Sequence, residues 1–140
     1  MPLGHRVSKD VLERHAADKK LATTYRDALA AVADADGALR AAQAEAGRPG
    51  AELRGLSIAL DRALADALRV AEAAERAAMG VQTYAPEGAN AKGTRDAEIA
   101  RRRAKARPGV REWTDEVDRL RTARERHLLS FRVAGARSGA

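Results

Sequence analysis

The chain contains no cysteine, and only one tryptophan, one phenylalanine and two tyrosines in 140 residues. Without cysteine, neither a disulfide scaffold nor a thiolate-ligated zinc site is available. Aromatics at 3% cannot fill a thick core. Val, Ile and turn residues do not recur at the short intervals that a sandwich, a barrel or a doubly wound α/β sheet requires. The opening Met1-Pro2-Leu3-Gly4-His5-Arg6 has no apolar h-region, and no uncharged run approaches the ~20 residues of a membrane span. What is abundant is alanine, at roughly a quarter of all positions, together with charged residues at 33%. Alanine removes little area from water, at about 25 cal/mol per Å², so this mixture predicts long helices packed in thin layers. The expectation is an all-α fold forming a single domain over residues 1–140.

Ser8 is suited to cap a first helix over 8–47, with Asp10 in its first turn at the positive end of the helix dipole. Val11, Tyr25, Val32 and Leu39 fall on one heptad frame, with Leu29 on the complementary position, which makes a coiled-coil-like seam. Asp18 and Asp36 interrupt that seam, and His15 lies beside it. Gly47-Arg48-Pro49-Gly50 then punctuates the chain. A second helix over 49–79 follows, its stripe carried by Leu53, Leu60, Leu64 and Leu68. The two helices are expected to fold back as a long antiparallel hairpin, leaving apolar stripes that a second copy of the chain would cover. The pairs Asp10–Arg14, Asp36–Arg40 and Glu72–Arg76 read as solvated-face ion pairs. Residues 80–93 read as a loop, and Thr94 as the cap of a third helix ending at 107. After the Pro108-Gly109 break, a fourth helix over 112–133 carries Trp113, Val117, Leu120, Leu128 and Phe131 as a stripe docking on the hairpin. Residues 134–140 read as a mobile tail.

Little in the sequence resembles catalytic machinery. There is no Gly-x-Ser-x-Gly elbow and no His-Glu-x-x-His, and His5, His15 and His127 lie far apart. Most carboxylates have an arginine within one helical turn, which lowers a carboxyl pKa, whereas a general acid needs it raised. The run Gly88 to Thr94 places its lysine before its glycine, so it is no phosphate-binding P-loop. The charge distribution is more informative. Residues 1–47 hold 7 basic and 7 acidic side chains, residues 48–80 hold 5 and 5, and residues 81–140 hold 14 and 8. The whole net charge of +6 therefore sits in the last of these segments. There Arg101, Arg102, Arg103, Lys105, Arg107 and Arg111 follow one another with no carboxylate between Glu98 and Glu112. Such a cluster can keep a helix soluble, meet an acidic protein face, or contact nucleic-acid phosphates. The scarce aromatics offer no stacking platform for base recognition.

The segment Tyr84-Ala85-Pro86-Glu87-Gly88-Ala89-Asn90-Ala91, then Arg95, Trp113 and the terminal Arg137-Ser138, resembles a loose class of small helical phage and prophage proteins. In that class two long helices precede a Gly-x-Asn loop and a closing helix. The resemblance covers about residues 60–138; the Pro108-Gly109 break and the basic third helix depart from it. Members of that class often occur near phage replication and recombination genes, so the resemblance implies a mobile-element setting and no mechanism. Together these readings describe a non-enzymatic interaction protein of the host-cell cytoplasm. It would be accessory to DNA replication or recombination, with no cofactor, metal, membrane or small-molecule substrate. Its partners would be itself and DNA or an acidic protein surface. The alternative is a structural virion or assembly protein, an adaptor, scaffold or connector, forming a homo-oligomeric ring or shell.

Overall fold

The structure, a computed structural model, describes residues 7–138, with side chains as far as Phe131. The described residues are all-helical, without strands: α1 Lys9–Ala22, α2 Tyr25–Ala44, α3 Gly50–Met79, a 3-10 turn Val81–Thr83, α4 Ala91–Ala104 and α5 Pro108–Ser138. No helix among them is long and apolar enough to cross a membrane.

The ends of these helices follow from local chemistry, and several differ from the sequence expectation. Ser8 caps α1 as expected, its hydroxyl accepting from the Val11 amide at 3.2 Å. The single helix over 8–47, however, is broken at Thr23–Thr24. The Thr23 hydroxyl donates to the Lys20 carbonyl at 2.6 Å, and its amide reaches the same oxygen at 3.2 Å. A threonine that bonds back to the preceding turn competes with the helical ladder, and a second β-branched residue follows at once. The third helix begins at Ala91, three residues earlier than expected. Its cap is Asn90, whose side-chain oxygen accepts from the Gly93 amide at 2.8 Å, while Thr94 lies inside the first turn. Asn is the stronger capping residue of the two. A Cβ at Gly93 would stand 3.3 Å from the Ala89 methyl, so a side chain there requires that neighbour to give by a few tenths of an ångström. The last helix starts at Pro108, because proline is tolerated at a first helical position where no amide is required. It continues through Ser138, so most of the tail expected over 134–140 is helical and its last two residues lie outside the described ones.

The described residues group into two compact units. The first comprises the chain up to Thr23 together with Val70–Glu116, that is, α1, the end of α3, α4 and the start of α5. Its core holds Val11, Val70, Ala71, Ala73, Ala74, Met79, Tyr84, Ala97, Ala104 and Val110. Met79, Ala104 and Val110 cluster where α3 ends, α4 ends and α5 begins. The second unit comprises Thr24–Arg69 and the chain from Val117 onward, with Leu39, Ala42, Leu60, Leu64, Ala67, Val117 and Leu120 buried. Within it, α5 is tied to α3 by Arg124, which donates to Asp61 at 2.9 Å, and by His127, whose Nε2–H donates to the Ser57 carbonyl at 2.7 Å. The stripe expected to dock through its two aromatics is buried at Val117 and Leu120; Trp113, Leu128 and Phe131 are only half-buried. Of the expected hairpin residues, Val11, Leu39, Leu60 and Leu64 are buried, whereas Tyr25, Leu29, Val32, Leu53 and Leu68 are half-buried. The best-buried aromatic is Tyr84, 8% exposed, at the edge of the interhelical loop.

Candidate functional site

The first unit is organised around the loop between α3 and α4. Asp10, Arg14 and Asp18 recur at four-residue spacing and so share one face of α1. Each reaches that loop. Asp10 accepts from the Glu87 amide at 3.0 Å, Arg14 donates to the Ala85 carbonyl, and the Tyr84 hydroxyl donates to Asp18 at 2.6 Å. Arg14 also donates to Asp10 at 3.0 Å and lies 5.8 Å from the Tyr84 ring centroid. From the end of α3, Arg76 forks onto both oxygens of Asp18 at 3.0 Å each, and Glu72 of its own helix adds to the negative field around it. His15 donates through Nε2 to the Ala77 carbonyl at 3.2 Å and meets Tyr84 edge-on, with ring centroids 5.7 Å apart. A carbonyl can only accept, so Nε2 carries the proton.

The electrostatics follow from this arrangement. Burial alone would raise the Asp18 carboxyl; the Arg76 fork and the Tyr84 hydroxyl outweigh it and hold the group below the usual carboxylate range. The Tyr84 phenol is pushed up, first by burial and then by the Asp18 carboxylate that accepts its hydrogen. Asp18 is therefore a fixed anion with three donors on it.

The six predicted cations lie on α4, the short turn after it and the start of α5, and all six are exposed. Two of them secure the chain. Arg101 donates to the Thr83 carbonyl at 3.1 Å, and Arg107 to the Met79 carbonyl at 2.5 Å, one of the acceptors that the end of α3 leaves without an amide. Arg102, Arg103, Lys105 and Arg111 have neither ion pair nor side-chain hydrogen bond among the described residues. In contrast, Arg14, Arg40, Arg48, Arg76 and Arg124 each meet a carboxylate at 3.0 Å or less.

A cleft of about 540 Å³ opens between α1, the end of α3, the 3-10 turn and α4. Arg14, Arg76, Arg101 and Lys105 line it alongside Asp18 and Glu75. Sequence reasoning found Arg101 and Lys105, read Arg14 and Arg76 as solvated-face charges and Asp18 as a seam break, and did not single out Glu75. The missing signal was the pairing of Asp18 with Arg76, 58 positions away, which helical spacing cannot reveal. No group of three or more His, Asp or Glu side chains suited to a metal occurs among the described residues. Compared with known proteins, the chain matches no family model, no curated protein and no solved structure, so its reading rests on this geometry.

Proposed function

We propose that this is a non-enzymatic helical interaction protein that binds the phosphate backbone of DNA through α4 and the start of α5. The observation that carries the reading is the clustering of four unengaged cations within residues 102–111. Five arginines of the structural faces meet carboxylates, whereas Arg102, Arg103, Lys105 and Arg111 are exposed and engaged by no side chain among the described residues. Cations left solvated at that density suit counterion release on a polyanion, which needs charge and no base readout. A role accessory to replication or recombination of a mobile element rests on the sequence resemblance. The antiparallel hairpin is part of the same proposal. It is supported within the second unit by the turn at Gly47 and by Leu29 and Val32 of α2 lining one cleft with Leu60 and Leu64 of α3.

The test is binding of labelled duplex DNA by the full chain and by the R102A/R103A/R111A variant. These three side chains make no polar contact among the described residues, so helicity should be unchanged while affinity falls by at least about tenfold at low salt. Equal binding by variant and parent refutes the reading. A second reading, a self-assembling structural protein, is favoured by Ile58 and Leu129, 44% and 59% exposed in the second unit. Sedimentation at micromolar concentration would then show a species larger than the 15.0 kDa chain, returned toward monomer by L129K.

A further inference from the structure

We propose that the cleft between α1, the end of α3 and α4 is a binding site for a phosphate monoester carried on a hydroxylated molecule, such as a nucleotide or the 5′ end of a strand. The strand-end form rests on the DNA reading above; the nucleotide form stands without it.

The cleft has the size and the charge for such a ligand. At about 540 Å³ it falls within the range of small-molecule sites and exceeds what a bare phosphate fills. Four cations and two carboxylates line it, and one of those carboxylates is already saturated. Asp18 spends its oxygens on the Arg76 fork and the Tyr84 hydroxyl, so it stiffens the wall and presents no free acceptor that would repel an anion locally. The remaining donors are held in place before any ligand arrives. Arg101 is anchored through Nε to the Thr83 carbonyl, which leaves its two terminal nitrogens unused. Arg14 is anchored through one terminal nitrogen to the Ala85 carbonyl and Asp10, and the Lys105 ammonium has no partner among the described residues. Guanidinium groups fixed by backbone carbonyls of one short turn lose little freedom on binding an anion, which favours affinity.

The class of anion follows from the excess charge and from Glu75. A phosphate monoester carries close to two negative charges at neutral pH and three acceptor oxygens, which suits the unspent donors of Arg14, Arg101 and Lys105 and the net positive charge of the lining. Glu75 accepts from the Thr114 hydroxyl at 2.7 Å and keeps a second oxygen for a ligand hydroxyl. A simple dicarboxylate would supply no such donor. Met79 and Tyr84 provide an apolar surface beside the charged groups.

The experiment is calorimetric titration of the full chain with a nucleoside 5′-monophosphate and with the matching nucleoside. Parallel anisotropy titrations use 5′-phosphorylated and 5′-hydroxyl oligonucleotides of one sequence. Saturable binding of the monophosphate, with the nucleoside at least about tenfold weaker, is the expected result. The variant K105Q, which removes no side-chain contact of the described fold, should reduce that preference by about tenfold, and R101Q should do so more strongly. Because R101Q also releases the Thr83 carbonyl, K105Q alone decides between the outcomes if R101Q unfolds. Indifference to the phosphate, or a preference that survives K105Q unchanged, overturns the site. If duplex DNA still binds in a salt-sensitive way without any phosphate-end or nucleotide preference, the cleft proposal fails and the backbone reading stands. If the monophosphate binds and long duplex does not, the reverse holds.

Discussion

The centre of the first unit is one carboxylate. Asp18 sits where a heptad seam would place an apolar residue, and the fold uses that polar break to join α1, α3 and the loop before α4. Replacing it with Asn removes the charge from the Arg76 fork and from the hydrogen bond given by Tyr84. Arg76 is half exposed, so solvent screens the pair, and the expected loss is about 1–2 kcal/mol, measured by urea denaturation. The pH dependence has a definite sign. The Asp18 carboxyl lies lower in the folded than in the unfolded chain, so its contribution is complete above the unfolded value near ~4 and fades as pH falls through the folded one. Stability measured between neutral and acid pH should therefore decline less steeply in D18N than in the parent. Parallel slopes would show that Asp18 contributes nothing. Tyr84 behaves in the opposite sense, since its phenol is raised. Its contribution persists below the unfolded value near ~10 and is lost in alkali, and Y84F should abolish that alkaline loss.

At the scale of elements, the caps separate what a sequence shows from what it hides. Asn90 holds the start of α4, so N90A should cost about 1 kcal/mol, whereas T94A, at the residue that spacing alone would nominate as cap, should cost little. Thermal unfolding of the two variants checks this, and equal losses would refute the assignment. A similar contrast divides the cations. R107A uncovers the Met79 carbonyl and should destabilise by about 1 kcal/mol, while R102A should leave stability within error. The all-helical class, the Gly47–Gly50 punctuation and the second helix ending at Met79 were legible, because alanine content, leucine spacing and Gly/Pro placement are local signals. The break at Thr23–Thr24 was not, since it depends on whether a hydroxyl turns back onto Lys20. Nor was the burial of Tyr84, because Asp10, Arg14 and Asp18 of α1 grip a loop more than 60 positions downstream. The basic segment was legible as charge, but its division into securing and unengaged cations required coordinates.

For the molecule as a whole, the net charge of +6 and the pI near 10.3 make attraction to polyanions unavoidable at low salt, so binding alone would say little about a dedicated surface. The dependence on salt is more discriminating. Each phosphate neutralised releases condensed counterions, and log K falls against log salt with a slope of about −0.9 per contact. If Arg102, Arg103, Lys105 and Arg111 form the contact surface, the parent slope should be near about −3.6, four contacts at that increment. The R102A/R103A/R111A variant should then fall to about −0.9, even though it retains a positive net charge and exposed cations such as Lys19, Lys20 and Arg62, because those lie outside that contact surface. A diffuse attraction predicts a different result: the slope would shrink only in proportion to the total charge removed, and substituting three paired arginines, such as Arg40, Arg48 and Arg124, would lower it just as far. Anisotropy titrations of both triple variants across a range of salt concentrations separate the two, and equal slopes for the two variants would leave no dedicated surface on α4.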